Sequence, residues 1–389
     1  MSKRIASCIL LFLLPLTLSG CWSKFEINDR TFISGVFVDL ADDSSTVELS
    51  ILTILPNRIS SSASGGVSTS GTIPYGVVTK TGRTLSEAFM SIQTDLTRRI
   101  SWGQTRVLVV GRDYAEKGMK ELLEWTSRQP SFPLKAHLYV APRKAKELTT
   151  LTPVYEQSPS EVLSEFANLH TSVETDMKQF LQGDNSKLGN AVPLLMMSEI
   201  PMVSEKGRLS PWAGKNGAAL FQQEKMVGTL DNEAAYLVAW VQQTPRYLIY
   251  SIPLDGGYCS VMLEELKSKI RPHVDGDRIR FTLSLTGEGK VLGSDTLLDI
   301  TNSDTLHKAE ADLNSKLKKE LQDLLRKTQK VQADIFQLGS LVEWWYPRTW
   351  EQLRENWSSE YREQVSFDVN VAVTIQHLNA EGKPYWMID

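Results

Sequence analysis

Leu18, Ser19, Gly20 and Cys21 close a short apolar stretch that begins behind Lys3 and Arg4, and they fix where the folded part of the chain can start. As a helix, Ile5 to Leu18 would reach only about 21 Å, against the roughly 30 Å of a bilayer's hydrocarbon core. Residues 1–20 therefore read as a signal peptide and not as a membrane span. Small residues ahead of the cysteine admit a peptidase, and the thiol is the nucleophile that takes a diacylglyceryl group, the pattern of a lipobox. Cys21 is the expected lipidation site and the first residue of the mature chain. Two acyl chains, at roughly 0.8 kcal/mol per buried methylene, anchor stably where one is marginal. The bland alternative is an ordinary secretory signal that happens to be followed by cysteine.

The same residue restricts the fold. Of three cysteines, Cys8 leaves with the signal and Cys21 is lipidated, so Cys259 stands alone and no intramolecular disulfide can form in the mature chain. Stability must come from packed cores, and 389 residues suffice for two or three. Removing Lys3 and Arg4 takes the formal net charge from −4 to −6. That balance argues against nucleic acid as a partner and against a polybasic membrane patch, leaving membrane affinity to the lipid.

Val47, Leu49, Ile51 and Leu55 alternate with mostly polar neighbours and predict a half-buried strand. Ser60 to Gly71 is too poor in apolar surface to offset ordering entropy and reads as a surface loop. Thr84 and Glu87 form a capping box, followed by a helical stripe of Leu85, Phe89, Ile92 and Leu96. A strand from Thr105 to Val110, a helix around Met119 to Leu123 and a strand from Ala136 to Val140 follow, the order of a parallel βαβ unit. Ser158, Pro159 and Glu161 start another helix, with a stripe running from Val162 through Phe166, Leu169, Val173 and Met177 to Phe180.

Pro193, Pro201 and Pro211 punctuate the next segment, placing a domain junction near residue 200. Ala218 to Leu230 reads as a hairpin about Gln222 to Lys225, followed by a short apolar segment around Tyr236 to Val241, and Asp255, Gly256 and Gly257 as a closing turn. Beyond them Ile279 to Leu285 and Val365 to Ile375 alternate as strands, and Ala309, Leu313, Leu317, Leu321 and Leu324 form a long amphipathic helix suited to cover them. The expected architecture is α+β, or mixed α/β. It has an N-terminal α/β domain over 21–199, a small middle α/β domain over 200–256, and a C-terminal domain over 257–389 with the helix on an antiparallel sheet.

Enzymatic signatures do not emerge. The five histidines are scattered, and no HExxH, GxSxG or CxxC occurs. Gly66 and Gly71 have P-loop spacing, but Thr72 and Ile73 stand where Lys and Ser/Thr are required. No metal or cofactor is implied, and Cys259 reads as a structural thiol. Trp344, Trp345, Tyr346, Trp350 and Trp357 crowd around Pro347. Such aromatics either pack the last helix on the sheet or form a docking surface for a membrane partner or lipid headgroups.

Together these segments resemble the Ger(x)C family, the lipoprotein C subunits of spore germinant receptors. The resemblance runs through Cys21, Trp22, Glu26, Ile27 and Asn28; GRTLSEA at Gly82 to Ala88; VLVVG at Val107 to Gly111; Gly217 to Phe221 with Gly228; and Asp334, Ile335, Phe336, Gly339, Pro347, Trp350 and Trp357. The chain departs from the family at Gln104, where many members carry histidine, and in a longer Ser60 to Gly71 segment. The resemblance implies three mixed α/β domains in a row, no enzymatic activity and attachment to the outer face of the inner spore membrane. It also implies a complex with a multi-domain A subunit and a polytopic B subunit, with nutrient sensed mainly by those subunits and direct small-molecule binding left open. The competing reading is a solute-binding lipoprotein feeding a nutrient importer, which shares the N-terminus but normally needs two similar lobes about a hinge.

Overall fold

The computed structural model describes residues 26–55, 58, 73–276, 278–295 and 302–376. Cys21 and the Ser60 to Gly71 stretch lie outside the described residues. Strands β1 (Arg30–Leu40), β2 (Val47–Ile54) and β3 (Tyr75–Gly82) pair antiparallel in the order β3-β2-β1. Helix α1 (Leu85–Asp95) follows, and its Thr84 cap accepts the Glu87 amide at 3.2 Å. The glutamate of the expected capping box reaches one residue further back, accepting the Arg83 amide at 2.8 Å.

Next come β4 (Arg99–Ser101), β5 (Val107–Val110), α2 (Arg112–Lys117), α3 (Lys120–Arg128) and β6 (His137–Val140). β1, β5 and β6 run parallel, as the strand and helix alternation predicts. All four residues of β5 are buried because both sheet faces are covered. Leu108 and Val110 pack with Leu85 and Leu122 on one side, Val107 and Val109 with Leu148 and Leu163 on the other.

The stripe from Val162 to Phe180 is not one helix. α4 (Pro159–Asn168) ends before His170, which adopts a φ of +49°, and α5 (Met177–Asn185) begins afresh. Asp176 and Gln179 close a reciprocal capping box at 2.7 and 3.0 Å, a start signal that ends any continuity of the apolar period. α4 also turns Leu163 and Ala167, rather than Val162 and Phe166, into the core.

β7 (Gly189–Met202), β8 (Arg208–Gln222) and β9 (Lys225–Leu230) complete a nine-stranded sheet, β3-β2-β1-β5-β6-β7-β8-β9 with β4 beside β1. The expected junction near residue 200 thus falls inside β7, and residues 200–256 form no sheet of their own. Beyond Leu194, β7 and β8 run as a two-stranded ribbon whose open edges accommodate Pro201 and Pro211 within strands. The apolar segment after it is helix α6 (Asn232–Val241), with Trp240 fully buried.

The second sheet has the order β10 (Leu248–Leu254), β11 (Gly257–Asp275), β12 (Arg278–Ser294), β13 (Val365–Gln376). Asp255 and Gly256, at φ of +37° and +82°, make a two-residue hairpin turn, so residues 256 and 257 lie at the tip of a hairpin inside this sheet. The first three strands are antiparallel, but β13 joins β12 in parallel, a correction to the expected antiparallel sheet. The cause is helix α7 (Ser303–Lys330), which crosses back over the sheet and returns the chain in the direction of β12. Its Ala309, Leu313, Leu317, Leu321 and Leu324 are buried with Ile279, Phe281, Leu283 and Leu285, as the periodicity predicts. Asn314 both donates to and accepts from Val373, at 2.9 and 2.8 Å, which satisfies part of the edge of β13.

β8 belongs to both cores: Ala219 and Phe221 face the first, Ala218 and Leu220 the second. One carboxylate inside the first unit is set for titration. Asp39 on β1 accepts the Ala145 amide at 2.6 Å and the Lys146 amide at 2.9 Å, yet desolvation prevails and raises its pKa from 3.8 to about 6. The folded state therefore keeps this proton to higher pH than the unfolded chain. Its contribution is fully present below about pH 4 and is lost as pH rises through about 6, on the order of 3 kcal/mol. Melting temperatures measured from about pH 4.5 to 7.5 should fall more steeply for the native chain than for Asp39→Asn, and equal slopes would refute the assignment.

Candidate partner interface

The crowded aromatics around Pro347 divide into two sets once the chain is folded. Helices α8 (Leu338–Trp345), α9 (Pro347–Leu353) and α10 (Trp357–Glu363) bring Trp350 and Trp357 into edge-on contact at 5.3 Å, and both are buried. Trp357 continues to Tyr361 at 6.3 Å and Tyr361 to Phe367 on β13, an aromatic chain that ties the helices to the second sheet. For these two tryptophans the packing reading holds.

Asp334 organises the cluster. Its carboxylate accepts the amides of Leu338 at 2.9 Å and Gly339 at 2.8 Å, capping α8, and the indole N–H of Trp357 at 2.9 Å. The side chain is enclosed. Burial pushes its pKa up while these donors pull it down. Gly339 leaves room for this arrangement: a Cβ there would stand 2.7 Å from both Leu188 and the Trp350 ring. The Gly189 amide of β7 donates to the Asp334 carbonyl at 3.2 Å, so the same loop joins the two units. Asp334, Gly339, Trp350 and Trp357 are thus a structural knot.

Trp344 and Trp345 stand outside it, 75% and 67% exposed, with Tyr346 half-buried. Trp344 borders a groove of about 690 Å³ between the units, with Phe336, Leu341 and the polar Gln182, Gln243 and Gln337. A second apolar groove, about 270 Å³, lies beside α4 and is walled by Val162, Phe166, Leu169, Tyr155 and Trp212. The apolar period assigns Val162, Phe166 and Leu169 to a buried stripe, whereas here they wall a groove.

Cys259 is buried in β11 and its thiol pKa is raised by desolvation, which suppresses the nucleophilic thiolate. His170 contacts Glu174 at 2.9 Å, and burial raises the carboxyl's pKa. Among the described residues no group of three or more His, Cys, Asp or Glu is placed to hold a metal ion. Among them, too, no helix is long and apolar enough to cross a membrane.

Comparison with known proteins accounts for both halves. Residues 23–198 match the family described as spore germination protein N-terminal domain, and residues 216–379 the one described as spore germination B3/GerAC like, C-terminal. The putative spore germination protein YfkR of Bacillus subtilis is 24% identical over 342 residues, covering 86% of each chain. Spore germination protein KC of the same organism is 21% identical over 99% of this chain and 98% of its own. The crystal structure of the GerBC protein superposes with a TM-score of 0.57 at 17% identity, covering 88% of this chain and 96% of that one, and shows the same fold. With both halves matched in order and the whole architecture shared, the chain belongs to the Ger(x)C family of spore germination proteins.

Proposed function

We propose that this chain is the lipid-anchored, non-catalytic C subunit of a spore germinant receptor, needed for nutrient-triggered germination and assembled with membrane A and B subunits. The observation that carries the reading is the lipobox ending at Cys21 directly ahead of a region, 23–379, that the two family matches nearly fill. From Cys21 to Arg30 the chain spans at most about 30 Å, so the folded body stays close to the bilayer. Confinement of this kind raises the effective concentration near integral partners, and a modest interface stays occupied. The exposed pair Trp344 and Trp345 is the part of the aromatic cluster available for such an interface. The importer reading is less well supported, because a nine-stranded and a four-stranded sheet are not two similar lobes.

Cys21→Ala is expected to abolish lipidation and impair nutrient-triggered loss of optical density. A variant that is unlipidated by mass spectrometry yet germinates at the native rate would overturn the anchoring role.

A further inference from the structure

Within a chain of net negative charge, one stretch of the second sheet gathers basic side chains. The outer face of the second sheet carries no covering layer among the described residues: α7 packs on the opposite side, while Ser366, Asp368 and Asn370 of β13 and Arg278 and Arg280 of β12 are all exposed. On β11 a bulge between Glu264 and Lys267, with Glu265 at a φ of +50°, reverses which alternate residues point outward. After it Lys267, Lys269, Arg271 and His273 emerge on this open face, about 7 Å apart along the strand. Their cross-strand partners are Thr286, Ser284, Thr282 and Arg280, so a second row of basic groups, Arg280 and Arg278, continues the first. Neutralisation is partial: Glu264, which pairs with Lys290, shares this face with Glu288 and with Asp275 opposite Arg278. Lys267 meets Glu265 at 3.7 Å and Arg280 meets Asp368 at 3.8 Å, while Lys269, Arg271 and Arg278 have no ion-pair partner among the described residues.

We propose that this face docks on a layer of anionic phospholipid headgroups. The inference rests on the reading that Cys21 holds the body at a membrane, and it adds a second, electrostatic contact that orients the body. An open sheet face presenting five Lys and Arg side chains suits an extended anionic surface better than a pocketed ligand. At the other end of the same face Ile249, Tyr258 and Leu292 are exposed, which supplies apolar and aromatic groups of the kind that settle at headgroup level.

The test uses the unlipidated chain from Trp22, which contains every described element, and sedimentation with vesicles of phosphatidylcholine alone or mixed with phosphatidylglycerol. Binding is expected only to the mixed vesicles and is expected to weaken steeply as salt is raised. At about fivefold in partitioning per basic residue, Lys267→Glu, Lys269→Glu and Arg271→Glu together should cost at least about 100-fold. Lys318→Glu, Lys319→Glu and Lys327→Glu on the exposed side of α7 change the net charge equally and should cost far less. Melting curves of both triple variants check folding, and the side chains changed are all exposed. Absence of binding to the anionic vesicles, equal losses in the two triple variants, or binding to duplex DNA in place of vesicles would overturn the docking proposal. The mass of the mature chain reports lipidation of Cys21 separately, so failure here leaves the anchor reading standing or falling on its own evidence.

Discussion

Asp334→Ala is expected to cost on the order of 4 kcal/mol and to loosen the three C-terminal helices from the rest of the fold. The carboxylate is the side-chain acceptor for two amides at the start of α8 and for the Trp357 indole, at 2.8 to 2.9 Å. Removing it strands three buried donors, each costing about 1–3 kcal/mol, with only partial relief from relaxation. Asn is not a remedy. One oxygen of the carboxylate accepts from both the Gly339 amide and the Trp357 indole, and an amide nitrogen in its place would face two donors. The alternative flip turns that nitrogen toward the Leu338 amide instead, so either orientation leaves a donor facing a donor. Hydrogen exchange is the discriminating measurement, because the residues most affected are local. Amides of residues 338–345 and 357–363 should lose protection in both variants, while β1 and β5 keep theirs. Unchanged protection in α8 would show that the cap is not what seats it.

How much of this was legible in the sequence depends on how local each signal is. Thr84 and Ser158 mark helix starts because a cap acts within three residues, and the side chains do accept the Glu87 and Glu161 amides. The α7 stripe was equally readable, since a consistent period over a 28-residue helix leaves few other arrangements. The division at His170 was not, because Leu169 and Val173 preserve the period across residues that are no longer helical. Val173 is buried for a different reason, as part of the second core. Pro201 and Pro211, read as punctuation near residue 200, lie within strands, since a two-stranded ribbon accepts prolines that a central strand would reject.

The aromatic cluster and the charged face were hidden for related reasons. Trp344, Trp345, Trp350 and Trp357 are close in sequence, but helix rotation and the turn at Tyr346 send two inward and two out. Alternation along β11 could have revealed the basic row, yet Glu265 gives no sign of the bulge that aligns Lys267, Lys269 and Arg271 with Arg280. Net charge, an average over the chain, cannot report such a stretch.

Gly217→Ala should disturb both cores at once, through backbone alone. Gly217 sits in β8 at a φ of +88°, at the register shift where Pro193 faces Ala218 and Leu195 faces Lys215. A Cβ there would stand 1.9 Å from the Leu230 carbonyl oxygen and 3.0 Å from the Asp231 carbonyl carbon, far inside contact distance. Neither obstacle is a flexible side chain. Leu230 ends β9, and Asp231 caps α6 by accepting the Ala234 amide at 2.8 Å, so relief of the clash must move a strand end and a helix start together. Left-handed backbone costs about 1–2 kcal/mol for a residue with a Cβ, and forced shifts in a packed core about 1–3, giving an expected loss of about 2–4 kcal/mol. Ala218→Gly, one residue on, removes a buried methyl without a clash and provides the comparison. The melting temperature should drop further for Gly217→Ala than for Ala218→Gly, and the reverse order would show that β8 yields at this point. Because Ala218 and Leu220 pack in the second core while Ala219 and Phe221 pack in the first, a displaced β8 transmits the defect to both sheets. That position, a strand shared by two cores, is the physical reason a glycine opens the run Gly217 to Phe221.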